Sequence, residues 1–293
     1  GFSRGAVLWF ALLIFLFVAV GSFLSTGYFD PSTYFEAVLY RWDNPLVNLA
    51  VLAAAVFVLA TVWHAHLWEK VPIAWMRRVA VGLAFAMGLC WVLGSRTVPI
   101  GAAANLNGFA QGFLQRDYSP LENYLRLFPF QLGYTGFLQL LYAVFGSGNF
   151  LAAQLVNVAA LALCYHLLVR LAQVLLQDDG VACLLCVMLP GCVYMVLYTT
   201  FVYPILIGLA LALGGMLCAA RYMQGGGAGF LAGAVGLCAL SVVFKSNYQI
   251  VALAVFLMLL AHWLEVGGPR LLAGLCAFVL CAVFAMQPVY AYY

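Results

Sequence analysis

Charge is scarce in this sequence. Lys and Arg number 12 and Asp and Glu 9 in 293 residues, 7% of the chain, against 67% hydrophobic residues. Soluble domains are about a quarter charged, so a soluble globular fold is excluded: there is too little polar surface to cover the apolar mass. The formal charge of +3 is too small for a nucleic-acid partner, which needs a basic stripe or patch. Apolar and polar residues do not alternate along the runs, which excludes a membrane β-barrel. A second Cys-x-x-Cys is missing as well. The cysteines (Cys90, Cys164, Cys183, Cys186, Cys192, Cys218, Cys238, Cys276, Cys281) all lie in apolar runs. No His accompanies Cys183-x-x-Cys186, so they read as small packing residues and not as a metal or redox centre. With no fixed-period repeat and no soluble appendage, 1–293 is expected to be a single transmembrane domain.

What is there is a series of apolar runs of about 20 residues, each able to cross about 30 Å of hydrocarbon as a helix. They predict an all-α polytopic membrane protein, embedded in the lipid bilayer by about nine spans near 6–26, 46–66, 79–98, 151–173, 181–202, 204–222, 228–245, 248–266 and 270–291. The first run is too long for the apolar core of a signal peptide and shows no small-residue cleavage site, so it is expected as a retained helix. A further window, 129–146, is only about 18 residues long and carries Gln131, Gln139 and a leading Pro, at the bottom of the spanning range. The basic residues decide it through the positive-inside bias. With Arg4 cytoplasmic and 129–146 not spanning, seven basic residues (Arg4, Lys70, Arg77, Arg78, Arg170, Arg221, Arg270) lie inside and five outside. A spanning 129–146 moves Arg170, Arg221 and Arg270 out. The first topology is therefore expected, with segments 27–45 and 99–150 extracytoplasmic and built of juxtamembrane helices that lie along the membrane surface. In the first of them, Asp30-Pro31 and Asp43-Asn44-Pro45 read as helix start and stop signals.

Those two segments hold Asp30, Glu36, Asp43, Asp117 and Glu122. A carboxylate near a membrane surface and beside an arginine is either a general base or metal ligand, or a helix cap paired with Arg41, Arg116 or Arg126. Lys245 ends a span, where a lysine snorkels to the surface or meets an anion such as a lipid phosphate. Asp178-Asp179 reads as a solvated turn. His64 and His66, two apart, face different sides of a helix and share no metal. Gln154 and Asn157, inside a span, read as interhelical hydrogen-bonding groups. Tyr198, Thr199, Thr200 and Tyr203-Pro204 mark an outer turn that would floor a pocket.

The run "GFAQGFLQRDYSPLENYLRLFPFQLGY", followed by "LLYAVFG" and "AAQLVNVAALALCYHLLVRLAQ", resembles bacterial integral-membrane glycosyltransferases of the GT-C superfamily. These are similar to protein O-mannosyltransferases and aminoarabinose-type lipid A transferases. "PGCVYMVLYTTFVY" and "VVFKSNYQI" follow the pattern of later helices there, so the likeness spans about 99–250 through short, degenerate motifs. It implies a GT-C-like fold in the bacterial plasma membrane, N-terminus cytoplasmic and active face extracytoplasmic. The implied activity is transfer of a hexosyl or pentosyl group from a polyprenyl-phosphate donor to a cell-envelope or protein acceptor. On this resemblance Asp117 and Glu122, then Asp43 and Asp30, are the candidate catalytic acids. Lys245, Arg126 and Asn247 would hold the donor phosphate, and Tyr124, Gln131, Tyr134 and Tyr203 would line the pocket. Some relatives use a divalent metal, Mg or Mn, and others none. The family usually has an aspartate near Gly101–Ala104, where this chain has Ala102, Ala103 and Ala104. Either the register of the likeness differs here, or the chain is inactive or substituted at these positions, or the base falls to Asp117 or Glu122. Arg116 stands where the family has glycine, and Phe130 where it often has histidine. Two rival readings are a transporter or lipid flippase, which would keep ionisable groups deep in the bundle, and a non-catalytic scaffold.

Overall fold

The computed structural model describes residues 2–29 and 38–290. Asp30, Glu36 and the helix start expected at Asp30-Pro31 lie outside the described residues. The chain packs as two compact units, Gly1–Ala65 and His66–Tyr293.

The first unit runs α1 (Phe2–Leu24), β1 (Ser25–Phe29), β2 (Val38–Trp42) and α2 (Pro45–His64). The two strands pair antiparallel, Ser25 opposite Trp42 and Phe29 opposite Val38. This corrects the expectation of juxtamembrane helix in 27–45 and adds a hairpin to an otherwise helical chain. The reason is composition: Ser-Thr-Gly-Tyr-Phe and Val-Leu-Tyr-Arg-Trp are β-branched and aromatic, types that favour a pleated surface. Asn44-Pro45, expected as the stop of an outer helix, starts α2 instead. Asn44 Oδ1 accepts the Leu46 N–H at 3.0 Å and Pro45 occupies the first turn, leaving no backbone donor wasted there. The Thr26 hydroxyl donates to Asp43 Oδ2 at 2.7 Å, and the Asn48 amide donates to the Phe23 carbonyl at 2.7 Å, tying the helix ends to the hairpin. α2 is apolar on every side and buries none of its residues, the pattern of a helix whose solvent is lipid.

The second unit contains α3 (Leu67–Lys70), α4 (Ile73–Ser95), α5 (Gly101–Leu114), α6 (Ser119–Glu122), α7 (Tyr124–Leu127), α8 (Leu132–Phe145) and α9 (Phe150–Leu176). It continues with α10 (Asp179–Met188), α11 (Val193–Leu197), α12 (Ile205–Met223), α13 (Ala228–Phe244), α14 (Gln249–Val266) and α15 (Pro269–Tyr290). α9 lies between α4 and α12; α12 packs on α13, and α13 on α14 and α15. Small residues make these contacts close. On α4, Met76, Ala80, Ala84, Gly88 and Val92 repeat every four residues and are buried. A Cβ at Gly88 would meet Val158 and Thr199 at 3.3 Å. Between α12 and α13 a Cβ at Gly215 would lie 2.5 Å from Cys238 Sγ. Such stripes let helices approach where lipid gives no hydrophobic drive for association. The opposite faces present Leu83, Phe85, Trp91, Leu253 and Leu257 outward.

Five segments among the described residues are long and apolar enough to cross a membrane: Pro45–His64, Ile73–Ser95, Phe150–Leu176, Ile205–Met223 and Ser246–Val266. Asp179–Gly191 and Val193–Thr200 form a sixth if the pair, bent by 53°, is one span. The chain is a helical membrane protein with this hairpin added. Ala228–Phe244 is apolar but has only 17 residues, and α1 and α15 are apolar over Leu12–Leu24 and Pro269–Ala285. The break in the sixth segment departs from the straight helix expected over 181–202. Pro190 lacks an N–H and opens a tight turn at Leu189–Gly191, which ends regular α-helix there.

Candidate functional site

Residues 99–150 form a compact layer in which α5 packs on α8. α8 has 14 residues, about 21 Å at 1.5 Å per residue, short of the hydrocarbon thickness. Its first turn abuts the end of α13 so closely that a Cβ at Gly133 would lie 2.2 Å from the Val243 carbonyl oxygen. Only glycine permits that approach. The layer has its own core, with Leu106, Ala110, Leu125, Tyr134, Leu138 and Val202 buried together.

Asp117 and Glu122 sit in the turn between α5 and α7, both exposed. Asp117 Oδ1 accepts the Ser119 N–H at 3.0 Å. Donation from the Ser119 backbone and then its hydroxyl holds the Asp117 carboxyl below its ordinary value of 3.8, so it is a carboxylate at neutral pH. Arg116, just before it, adopts φ 64°, the left-handed region that costs an L-residue about 1–2 kcal/mol and glycine nothing. Arg126 is exposed on α7. Tyr124 is half-buried, with its ring tilted against Phe109 at 5.3 Å and Phe128 at 4.8 Å.

Three of the expected residues, Tyr134, Tyr203 and Lys245, converge where α8 meets the end of α13. Tyr134 is buried, with its ring 6.4 Å from Tyr203 and 6.2 Å from Phe244. Lys245 caps the end of α13 and its Nζ stands 4.4 Å over the Tyr203 ring, a cation–π contact that holds the ammonium at the rim of the aromatic cluster. Gln131, one turn before Tyr134, has its Oε1 buried with no hydrogen-bond partner among the described residues. Burial, helped by Tyr142 and Tyr203, pushes the Tyr134 phenol well above its ordinary value, so it stays a neutral donor. Asn247 is exposed in the turn after Lys245. Asp43 lies in the first unit, hydrogen-bonded to Thr26. Ala102, Ala103 and Ala104 form the first turn of α5, with Ala103 fully buried. Among the described residues no three His, Cys, Asp or Glu side chains come together as a metal site.

Behind the cluster the chain from Tyr198 to Pro204 is irregular, and three amides hold it. Gln154 Nε2 donates to the Thr97 and Thr200 carbonyls at 3.0 and 3.2 Å. Asn157 Nδ2 donates to Thr199 and Phe201 at 3.3 and 2.9 Å. Asn107 Nδ2 donates to Ala103 at 2.6 Å and Val202 at 3.4 Å, and its Oδ1 accepts the Tyr142 hydroxyl. Non-helical backbone at membrane depth survives only where protein satisfies it. Sequence reasoning found Gln154 and Asn157 but not Asn107 and Tyr142. The signal was present: Asn107 is a polar residue on the buried stripe Ala103, Leu106, Ala110.

Compared with protein-family models, with curated proteins and with solved structures, the chain finds no match in any of the three.

Proposed function

We propose that this chain transfers a sugar from a polyprenyl-phosphate donor to a hydroxyl acceptor at the membrane surface. One observation carries the reading: at the end of α13 Lys245 Nζ stands over the Tyr203 ring, which meets Tyr134, and Gln131, one turn before Tyr134, keeps a buried amide oxygen without a partner among the described residues. The left-handed backbone at Arg116 supports the alignment with the GT-C-like run, where that position is glycine. In the reaction, Asp117 or Glu122 takes the proton of the acceptor hydroxyl as its oxygen bonds to the anomeric carbon. The bond from that carbon to the phosphate oxygen breaks and its electron pair stays on the phosphate. Lys245 balances the charge of the departing group, and the phenols and Gln131 orient the donor.

The test is turnover of a synthetic polyprenyl-phosphate sugar by the full chain in detergent. Asp117→Asn with Glu122→Gln should lower turnover by about 10²-fold or more without loss of thermal stability. Unchanged turnover removes the acids from the reaction. A wild-type chain that folds and neither binds nor consumes the donor removes the transferase reading and favours the scaffold.

The bent pair Asp179–Thr200 favours a second reading, a transporter or lipid flippase, since broken helices build substrate sites in such proteins. Against it, the carbonyls freed at the irregular stretch are bound by Asn107, Gln154 and Asn157 and are not left for a substrate. Uptake of the lipid-linked sugar by proteoliposomes without chemical change would favour it over transfer.

A further inference from the structure

The other end of the second unit gathers cations, and the transferase reading makes no use of them. Arg77 and Arg78 open the second turn of α4, and His166 and Arg170 lie in the second half of α9. Arg77 and Arg170 both act electrostatically on His166, and Arg221, at the end of α12, acts on Arg170. None of these arginines has a carboxylate within ion-pairing distance among the described residues. Arg77 is instead oriented by a neutral group: its Nη1 donates to Gln173 Oε1 at 3.0 Å, and Gln173 Nε2 donates to Asp179 Oδ1 at 3.3 Å. That leaves most of the guanidinium donors available.

These side chains head a groove of about 420 Å³ between α4 and α9. Arg77, Arg78 and His166 line one part of it, and Val81, Gly82, Phe85 and Ala162 the rest. The spacing puts the cations and the apolar residues on one stripe of α4, polar at the helix start and apolar further in. A Cβ at Gly82 would meet nothing within 4 Å, so glycine leaves the groove open there. Trp75, 58% exposed and one turn from Arg78, is the kind of residue that sits at headgroup depth. A second hollow, about 460 Å³ between α14 and α15, has only apolar and Cys lining residues, so nothing there selects a headgroup.

We infer that the groove between α4 and α9 binds one anionic phospholipid, its phosphate on Arg77, Arg78 and His166 and an acyl chain along Val81, Gly82 and Phe85. Charge complementarity chooses the occupant. Paired arginines without carboxylate partners match phosphate geometry, basic pockets between membrane helices hold anionic headgroups, and the apolar floor asks for a chain that free phosphate lacks.

The test is a native mass-spectrometry titration of the full chain in detergent. The probes are dioleoylphosphatidylglycerol, dioleoylphosphatidylcholine of the same chains, and inorganic phosphate. Phosphatidylglycerol should bind about tenfold more tightly than phosphatidylcholine, and millimolar phosphate should not displace it. Arg77→Gln with Arg78→Gln should erase the preference. Gly82→Phe, which fills the groove with every charge kept, should weaken binding by a similar factor, while Arg270→Gln should not. The proposal fails if the preference survives the double variant, if Gly82→Phe binds as the wild type does, or if inorganic phosphate competes as a soluble ligand would. Should the double variant misfold, Gly82→Phe alone decides.

Discussion

Asp117 shows how one residue can be a turn element and a chemical group at once. Its carboxylate accepts from the Ser119 N–H and hydroxyl, and each donor favours the charged form. A depressed folded value means that the stabilisation is present above the unfolded value and is lost as pH falls through the folded one. The side chain is exposed, so the loss in stability is small and the consequence is chemical. If Asp117 is the base, the acid limb of the pH–rate profile lies below 3.8 and the rate is flat through neutrality. Ser119→Ala removes the hydroxyl donor and keeps the N–H, so the limb should move up towards 3.8 with the plateau rate unchanged. Profiles of kcat/KM measured over about pH 3 to 7 check it; a limb that ignores Ser119→Ala takes the proton-accepting role away from Asp117. The acids themselves were legible in the sequence because so few charges occur. The aromatic seat of Lys245 was only partly so: Tyr134 and Tyr203 are 69 positions apart, and nothing local in the sequence says that Phe244 joins them.

Elements were legible where a local signal coincides with a long apolar run. Asn44-Pro45 marks the start of α2. Local signals mislead where pairing is decided at a distance. The strands β1 and β2 are five residues each and pair with one another, and five-residue runs beside apolar helices carry too little alternation to separate from a helical segment. The bend at Leu189–Gly191 is marked by Pro190, whereas the non-helical stretch that follows Thr200 depends on amides from α5 and α9. That dependence is testable. Asn157→Leu keeps the volume nearly constant and leaves the Thr199 and Phe201 carbonyls without the Asn157 donor. It should cost about 2 kcal/mol, because a buried acceptor loses its partner where water cannot replace it. Thermal or denaturant unfolding in detergent measures it, and a cost under about 0.5 kcal/mol would mean that the backbone of this stretch does not rely on that side chain.

On the scale of the second unit, alternation of the long helices sorts its polar groups into two ends. Arg77, Gln173, Asp179 and Gln224 are linked to the ends of α9 and α10. Thr97, Gln154 and the Thr200–Val202 stretch meet at the opposite end, where Lys245 and the α5–α8 layer also lie. The sorting holds only if α8 does not cross, since one more crossing would put Arg126 and Asn149 on different sides. Its length, about 21 Å, and its burial against α5 and α13 argue that both stay on one side. Single-cysteine labelling in intact cells, after replacement of the native exposed cysteines, should modify Arg126→Cys and Asn149→Cys from the same side, and Gln177→Cys, in the turn after α9, from the other. If Asn149→Cys and Arg126→Cys react from opposite sides, α8 crosses the bilayer. Asp117 is then separated by the membrane from any acceptor on the Asn149 side, and the positive-inside count that orients the chain reverses for Arg170, Arg221 and Arg270. If they react together, the acids and the lysine share one aqueous face, as a donor anchored in lipid and an acceptor arriving from water require.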